Sequence, residues 1–141
     1  MHDITFFCSR SNITYQSNEG AFTCSTFANG ETTVVIEQSV RRHKCVIVQT
    51  LAAETLNDDI FEVLLIADAL RGAAADQIKL ILLYLPNQRN DRLLPKMLEK
   101  AGINEVVTVD ASSNISRSFD IPLTNISSNG LFAQVIYYVV N

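Results

Sequence analysis

Two unbroken apolar runs, "CVIVQT" at residues 45–50 and "IKLILLYL" at residues 78–85, limit what this chain can fold into more than any other feature. Neither alternates apolar with polar residues, so each predicts a strand covered on both faces. Between them the period changes. From Asn57 to Ala75, the residues Phe61, Leu64, Leu65, Ala67, Ala69 and Leu70 recur at helical spacing. Asn57 or Asp58 offers an N-cap, acids fill the first turn and Gly72 falls near the end, so this stretch predicts a helix. Its apolar residues cover more than one face. Part of it is therefore expected to pack on a sheet and part on a second element or subunit.

The same logic extends along the chain. Residues 4–8 ("ITFFC"), 32–37 ("TTVVIE") and 104–110 ("NEVVTVD") read as strands, and "LLPKMLEKAG" (93–102) reads as a short helix closed by a glycine. Residues 9–26 are rich in Ser, Thr and Asn without a period and read as a loop with at most one short helical turn. "PNQRNDR" (86–92) reads as a polar loop. In the tail, 128–141, the β-branched and aromatic content favours a strand, while its length and Asn129 as a cap favour a helix, to which the reading leans. Strands alternating with helices predict an α/β fold, a three-layer sandwich with a mostly parallel sheet. A chain of 141 residues, 48% of them hydrophobic, buries one core and is read as a single domain, 1–141.

Composition narrows the function. A net charge of −4 argues against a broad surface for nucleic acid or anionic membrane, since such binding needs clustered Lys and Arg. The one compact basic cluster, Arg41-Arg42-His43-Lys44, reads as a solvated turn before a strand. The start, "MHDITFFCSR", lacks a basic segment followed by a long apolar one, and no apolar run approaches the roughly 20 residues needed to cross a bilayer, so the expected location is cytoplasmic, away from membranes. The 3 cysteines, Cys8, Cys24 and Cys45, are scattered and odd in number, which indicates neither a disulfide framework nor a metal site. Cys8 and Cys45 lie in apolar runs and read as small buried hydrophobes.

Three stretches carry chemistry, each beside a plainer reading. In Phe27-Ala28-Asn29-Gly30-Glu31, the Asn-Gly pair makes a tight turn, which by itself is a hairpin device. With an aromatic face and a carboxylate added, the turn suits a flat, amine-bearing ring: Phe27 to stack, Asn29 or Glu31 to accept from an exocyclic amine. Arg89-Asn90-Asp91-Arg92 follows a buried strand, where ligands collect in α/β sheets. Its guanidiniums can clamp polyphosphate, or the loop can simply pair with itself in solvent. Asp110, at the end of a strand, can serve a metal or cap the next turn. No histidine lies near it in sequence, and the Ser112-Ser113 pair has no obvious base.

In this order and with these flanks, the stretches resemble the amino-terminal domain of ribose-phosphate pyrophosphokinase, or phosphoribosyl pyrophosphate synthetase. The family's Phe-Ser-(Asp/Asn)-Gly-Glu followed by Ile-Glu-Glu-Ser-Val-Arg-Gly is similar to "FANGETTVVIEQSVRR", and its Ile-Val-Gln-Ser strand end to "VIVQT". Its helix beginning Asn-(Asp/Glu) and closing Asp-Ala-Leu-Lys-Arg-Ala-Ser-Ala is similar to "NDDIFEVLLIADALRGAAA". Its Arg-Gln-Asp-Arg resembles "RNDR", Ala-Gly-Ala-Asp-x-Val-Ile-Thr-x-Asp resembles "AGINEVVTVD", and Phe-Phe-Asp-Ile-Pro resembles "SFDIP". The collinear match runs from about residue 27 to 126.

The resemblance implies a phosphoribosyltransferase-type domain with ATP and Mg²⁺ as ligands. It assigns Phe27, Asn29 and Glu31 to adenine across a subunit interface, Arg89, Asn90, Asp91 and Arg92 to the phosphates, and Asp110 to the metal side. It also implies a homo-oligomer, or a hetero-oligomer with a related synthetase. Departures accompany it. Between Arg92 and Ala101 stands only "LLPKMLEK" where the family has a longer, basic, mobile catalytic loop, and the family's Asp-Leu-His becomes Asp110-Ala111-Ser112. The family's second half, with its ribose 5-phosphate loop, has no counterpart in these residues. The expectation is a catalytically degenerate homologue, a nucleotide-binding or subunit-interaction module. Two alternatives stand beside it: the ATP-side half of a split synthetase, and a structural or regulatory partner of a full-length synthetase that binds no nucleotide.

Overall fold

The structure, a computed structural model, describes residues 4–9, 20–51, 53–85, 92–130 and 137. Five strands form a wholly parallel sheet in the order β1 (Ile4–Ser9), β4 (Lys44–Gln49), β5 (Gln77–Leu82), β6 (Glu105–Val109), β7 (Leu123–Ile126). A separate antiparallel hairpin, β2 (Phe22–Thr26) and β3 (Thr32–Ile36), links β1 to β4. Helices α1 (Leu56–Gly72) and α2 (Leu93–Ala101) link β4 to β5 and β5 to β6, and a single-turn α3 (Ser113–Ser116) precedes β7. The α/β fold with a parallel sheet expected from the apolar runs is present.

Alternation along the strands decides which side chains meet the helices. In register across the sheet, Phe7, Ile47, Leu80 and Val106 form one row on the helical side, all fully buried. Onto that face α1 sets Val63, Ile66, Ala67 and Leu70, and α2 sets Leu94 and Leu98, in one continuous core. Each large aliphatic side chain buried there contributes about 1.5–3 kcal/mol relative to exposure. The alternate residues of β4, Val46 and Val48, are buried as well, so the run read as covered on both faces is covered on both faces.

Two sequence readings need correction, and one strand lies where the sequence analysis read no element. Residues 9–26 are not all loop: 22–26 form β2, a strand of Thr, Ser and Cys whose pairing with β3 overrides its weak apolar signal. Residues 123–126 form β7, too short and polar to stand out. The residue flanking α1 at its start is Thr55 rather than Asn57 or Asp58; its hydroxyl donates to Asp59 Oδ2 (2.8 Å), and Asp59 is buried. The tail reading lies outside the described residues except for 128–130 and 137. Cys45 is buried, and desolvation pushes its thiol up to about 11, so it behaves as the small hydrophobe expected. The Cys8 side chain lies outside the described residues.

The hairpin is seated from below. Phe22, Val34 and Ile36 pack on the core, and the Phe22 ring meets Phe7 edge-on at 5.8 Å between centroids. Just before β2, the Gly20 N–H donates to the Phe6 carbonyl at 2.6 Å, which draws the backbone so close that a Cβ on Gly20 would lie 2.4 Å from the Phe7 ring. Gly20→Ala is therefore expected to cost about 1–3 kcal/mol of stability through overpacking. Urea denaturation checks it, and an unchanged midpoint would show that the Phe7 ring has room to yield.

Candidate functional site

The hairpin tip is built by its own backbone. Phe27 N–H donates to the Glu31 carbonyl (2.8 Å), Gly30 N–H to the Phe27 carbonyl (2.9 Å), and Glu31 N–H to Asn29 Oδ1 (3.1 Å). Gly30 sits at φ 86°, which a residue with a side chain adopts only under strain. The turn read from Asn-Gly is thus present. It leaves Phe27, Asn29 and Glu31 together on one exposed tip, with Phe27 57% exposed. An aromatic ring more than half exposed on a fixed turn presents a face for stacking. The Asn29 carbonyl oxygen already accepts one bond, so the Glu31 carboxylate is the less committed acceptor.

The second group of residues lies elsewhere. Arg92 is exposed and directly precedes α2, while Arg89, Asn90 and Asp91 fall outside the described residues. Asp110 follows β6, the neighbour of β5 in the parallel sheet, so Arg92 and Asp110 both lie beyond the carboxyl ends of adjacent strands, where α/β sheets gather their ligands. Among the described residues, no hydrogen bond or ion pair joins the tip at 27–31 to Arg92 or Asp110.

Asp110 is stitched to the end of β7. Its backbone takes φ 48°, a left-handed conformation that Asp tolerates better than most residues, and its N–H donates to the Ile126 carbonyl (3.0 Å). The Ser128 N–H donates to Asp110 Oδ1 (3.0 Å) and the Ser128 hydroxyl to Oδ2, so the carboxylate caps the residues after β7 rather than the turn that follows it in sequence. Asn125 braces the same corner, accepting from Ala111 N–H and donating to the Ala111 carbonyl, each at 2.9 Å. Neither Ser128 nor Asn125 was singled out by sequence; strand-end Ser and Asn carry no distinctive spacing. Each Asp110 oxygen keeps a further lone pair, so a hydrated cation fits there through its water shell. Among the described residues no group of three or more His, Cys, Asp or Glu side chains could hold a metal directly.

Two buried polar residues also lie at this end of the sheet. Gln49 closes β4 and Thr108 lies near the end of β6; both are fully buried, and among the described residues none of the side-chain polar atoms of Gln49, nor the Thr108 hydroxyl, has a hydrogen-bond partner. Each such group costs about 1–3 kcal/mol. The signal in sequence was the polar residue ending "VIVQ".

The fold is an α/β domain with a parallel sheet that places Arg92 and Asp110 beyond the carboxyl ends of adjacent strands. The chain belongs to the family of N-terminal domains of ribose phosphate pyrophosphokinase, which matches residues 11–103. It is 34% identical over 127 residues to ribose-phosphate pyrophosphokinase 1 of Streptococcus pyogenes serotype M1, covering 82% of this chain and 39% of that protein. It is 33% identical over 125 residues to ribose-phosphate pyrophosphokinase A of Dictyostelium discoideum, covering 80% of this chain and 38% of that one. The crystal structure of phosphoribosylpyrophosphate synthetase from Mycobacterium smegmatis superposes with a TM-score of 0.83 at 26% identity, over 95% of this chain and 51% of that chain. The chain thus spans about two-fifths of the length of the curated relatives it matches. No helix among the described residues is long and apolar enough to cross a membrane.

The bonds from Ser128 hold the exposed Asp110 carboxyl below the usual Asp range. A depressed folded pKa stabilises the fold above the ordinary Asp value, and that contribution fades as pH falls through the depressed one. In Ser128→Ala the Asp110 titration is expected to move up toward the ordinary range, read by carboxyl-carbon NMR. A midpoint unmoved by the substitution would show that Ser128 does not hold this carboxylate.

Proposed function

We propose that this chain is a single-domain, nucleotide-binding and subunit-interaction module of phosphoribosyl pyrophosphate synthesis that binds ATP with Mg²⁺ but does not transfer diphosphate by itself. The observation that carries the reading is the tip at 27–31: a solvent-facing Phe27 on a backbone-locked turn with the Glu31 carboxylate beside it. Phe27 stacks on adenine, and Glu31, with Asn29, accepts from its exocyclic amine. Because, among the described residues, the tip makes no hydrogen bond or ion pair to Arg92 or Asp110 of its own chain, it suits a site completed by another subunit. Arg89, Asn90, Asp91 and Arg92 hold the phosphates, and Asp110 meets Mg²⁺ through the ion's hydration shell. These residues work in the cytoplasm, in a homo-oligomer or beside a related synthetase.

Loss of the transfer step rests on residues inside the chain. Phosphoryl-type transfer is mostly positioning and electrostatic stabilisation, so it depends on mobile cations closing over the developing charge. Here α2 begins at Leu93, directly after Arg92, and buries Leu94 and Leu98. The segment where such a loop would stand is committed to the core. Ala111 and Ser112 supply no imidazole beside Asp110.

Calorimetric titration of ATP with Mg²⁺ into the purified protein tests the reading. Saturable binding is expected. Phe27→Ala should weaken it roughly tenfold, since stacking on a base is worth about 1–3 kcal/mol. Arg89→Ala should weaken it as well, and ribose 5-phosphate added with ATP should give no product above background. Absence of saturable heat would replace this reading with a structural partner that binds no nucleotide, and product formation would overturn the inactivity.

A further inference from the structure

Three buried polar atoms at the carboxyl edge of the sheet stabilise nothing in this structure. Gln49 pairs in register with Leu82, and Leu82 with Thr108, so the three side chains form one row across β4, β5 and β6. On each strand the row lies two residues beyond Ile47, Leu80 and Val106, and therefore on the helical side. It closes the sheet there: Gln49 and Leu82 are the last residues of their strands and Thr108 is the last but one. Both polar residues are 0% exposed, and among the described residues Gln49 Nε2 and Oε1 and Thr108 Oγ1 have no partner.

Their surroundings favour one direction for a shared partner. Toward the middle of the sheet, the next residues on the same side are Ile47 and Val106, both apolar and buried. Between Gln49 and Thr108 stands Leu82, and the space it shares with Leu51, Ile60, Val63, Leu94 and Leu98 is too small for a water molecule, so none bridges the pair there. Asn125, in register beyond Thr108, has its amide oxygen and nitrogen both bonded to Ala111. A partner common to both residues therefore comes from the carboxyl edge, where Arg92 and Asp110 stand. A rotamer change lifts the Gln49 amide past the last row without a shift of backbone. Thr108 is shorter, two residues before Asp110, and reaches the same place through one water. Glutamine amides and threonine hydroxyls are, like arginine, regular donors to phosphate oxygens. Gln49 Oε1 can accept from the water shell that Mg²⁺ keeps.

We propose that Gln49 and Thr108 bind the phosphate end of the nucleotide, standing unpartnered in the free protein and gaining their hydrogen bonds when a phosphate-bearing ligand sits at the strand ends. The proposal rests on the reading of that end as a nucleotide site. Groups unsatisfied only in the free state lower its stability and add to the gain on binding. Apolar replacements of like shape therefore move stability and affinity in opposite directions, which residues with a merely structural role do not do. Gln49→Leu and Thr108→Val test it, by urea denaturation without ligand and by calorimetric titration with ATP and with inorganic tripolyphosphate, each with Mg²⁺. Both variants are expected to unfold at higher urea than the parent. Gln49→Leu should bind both ligands roughly tenfold more weakly, and Thr108→Val about threefold. A variant less stable than the parent would mean that its polar atoms already have partners, and unchanged affinity would mean that they serve no ligand; either overturns the proposal and leaves the ATP reading in place. Weakening confined to ATP, or a parent that binds ATP but not tripolyphosphate, overturns the assignment to the phosphate end. A parent chain that binds neither ligand removes the nucleotide reading itself, and this proposal with it.

Discussion

Five strands pointing the same way impose the constraint on which the rest of this structure depends. Each parallel strand must be reached by a chain that has travelled back along a face of the sheet. With the order β1-β4-β5-β6-β7 advancing in one direction, right-handed crossovers fall on one face. The helices α1 and α2 therefore lie side by side, and Val63, Ile66, Leu70, Leu94 and Leu98 merge into a single core over Ile47, Leu80 and Val106. Burial of that face sets the position of every loop at the carboxyl ends of the strands, including those bearing Arg92 and Asp110.

The link between β1 and β4 is the exception, and it is where the chain departs from a plain repeat of strand and helix. Among its described residues stands an antiparallel hairpin. Its lower residues, Phe22, Val34 and Ile36, do what a crossover helix does and pack on the core. Its upper residues are released from packing. The Thr26 and Thr32 hydroxyls meet at 3.3 Å just below the turn, and the Thr23 hydroxyl bonds to Glu37 near the base, so the ribbon is braced along its polar side while Phe27 stays outside. A rigid base with an uncommitted aromatic tip is the arrangement a recognition element needs, because little order has to be gained when a ligand stacks on it.

Much of the fold was legible because burial on both faces leaves a compositional trace. The runs at 45–50 and 78–85 became β4 and β5, and the helical spacing beginning at Asn57 became α1, since covered strands and packed helices must be apolar at fixed positions. β2 and β7 were not legible: "FTCST" and "LTNI" owe their strand geometry to partners distant in sequence, which no local pattern encodes. The helix start was misplaced because Asn57 and Asp58 are good caps, yet the helix begins one residue earlier, where Thr55 engages a buried Asp59. For the site, the turn at 27–31 was legible from Asn-Gly. The role of Ser128 was not, because its meeting with Asp110 depends on β6 and β7 being neighbours.

The breadth of the apolar surface on α1 now has a physical account. A helix serving one sheet face would carry a single stripe. Here Val63, Ile66 and Leu70 fill the core, Ile60 and Leu64 reach α2, and the remaining flank lies against β3 of the hairpin. The same helix thus supports the hairpin that holds Phe27 and an open groove between α1 and α2 that Leu65 and Met97 line. The tip and the groove are composed of different side chains, so either can be altered while the other keeps its geometry. Their common support is the buried face of α1, and a cavity opened at Ile66 would loosen both together.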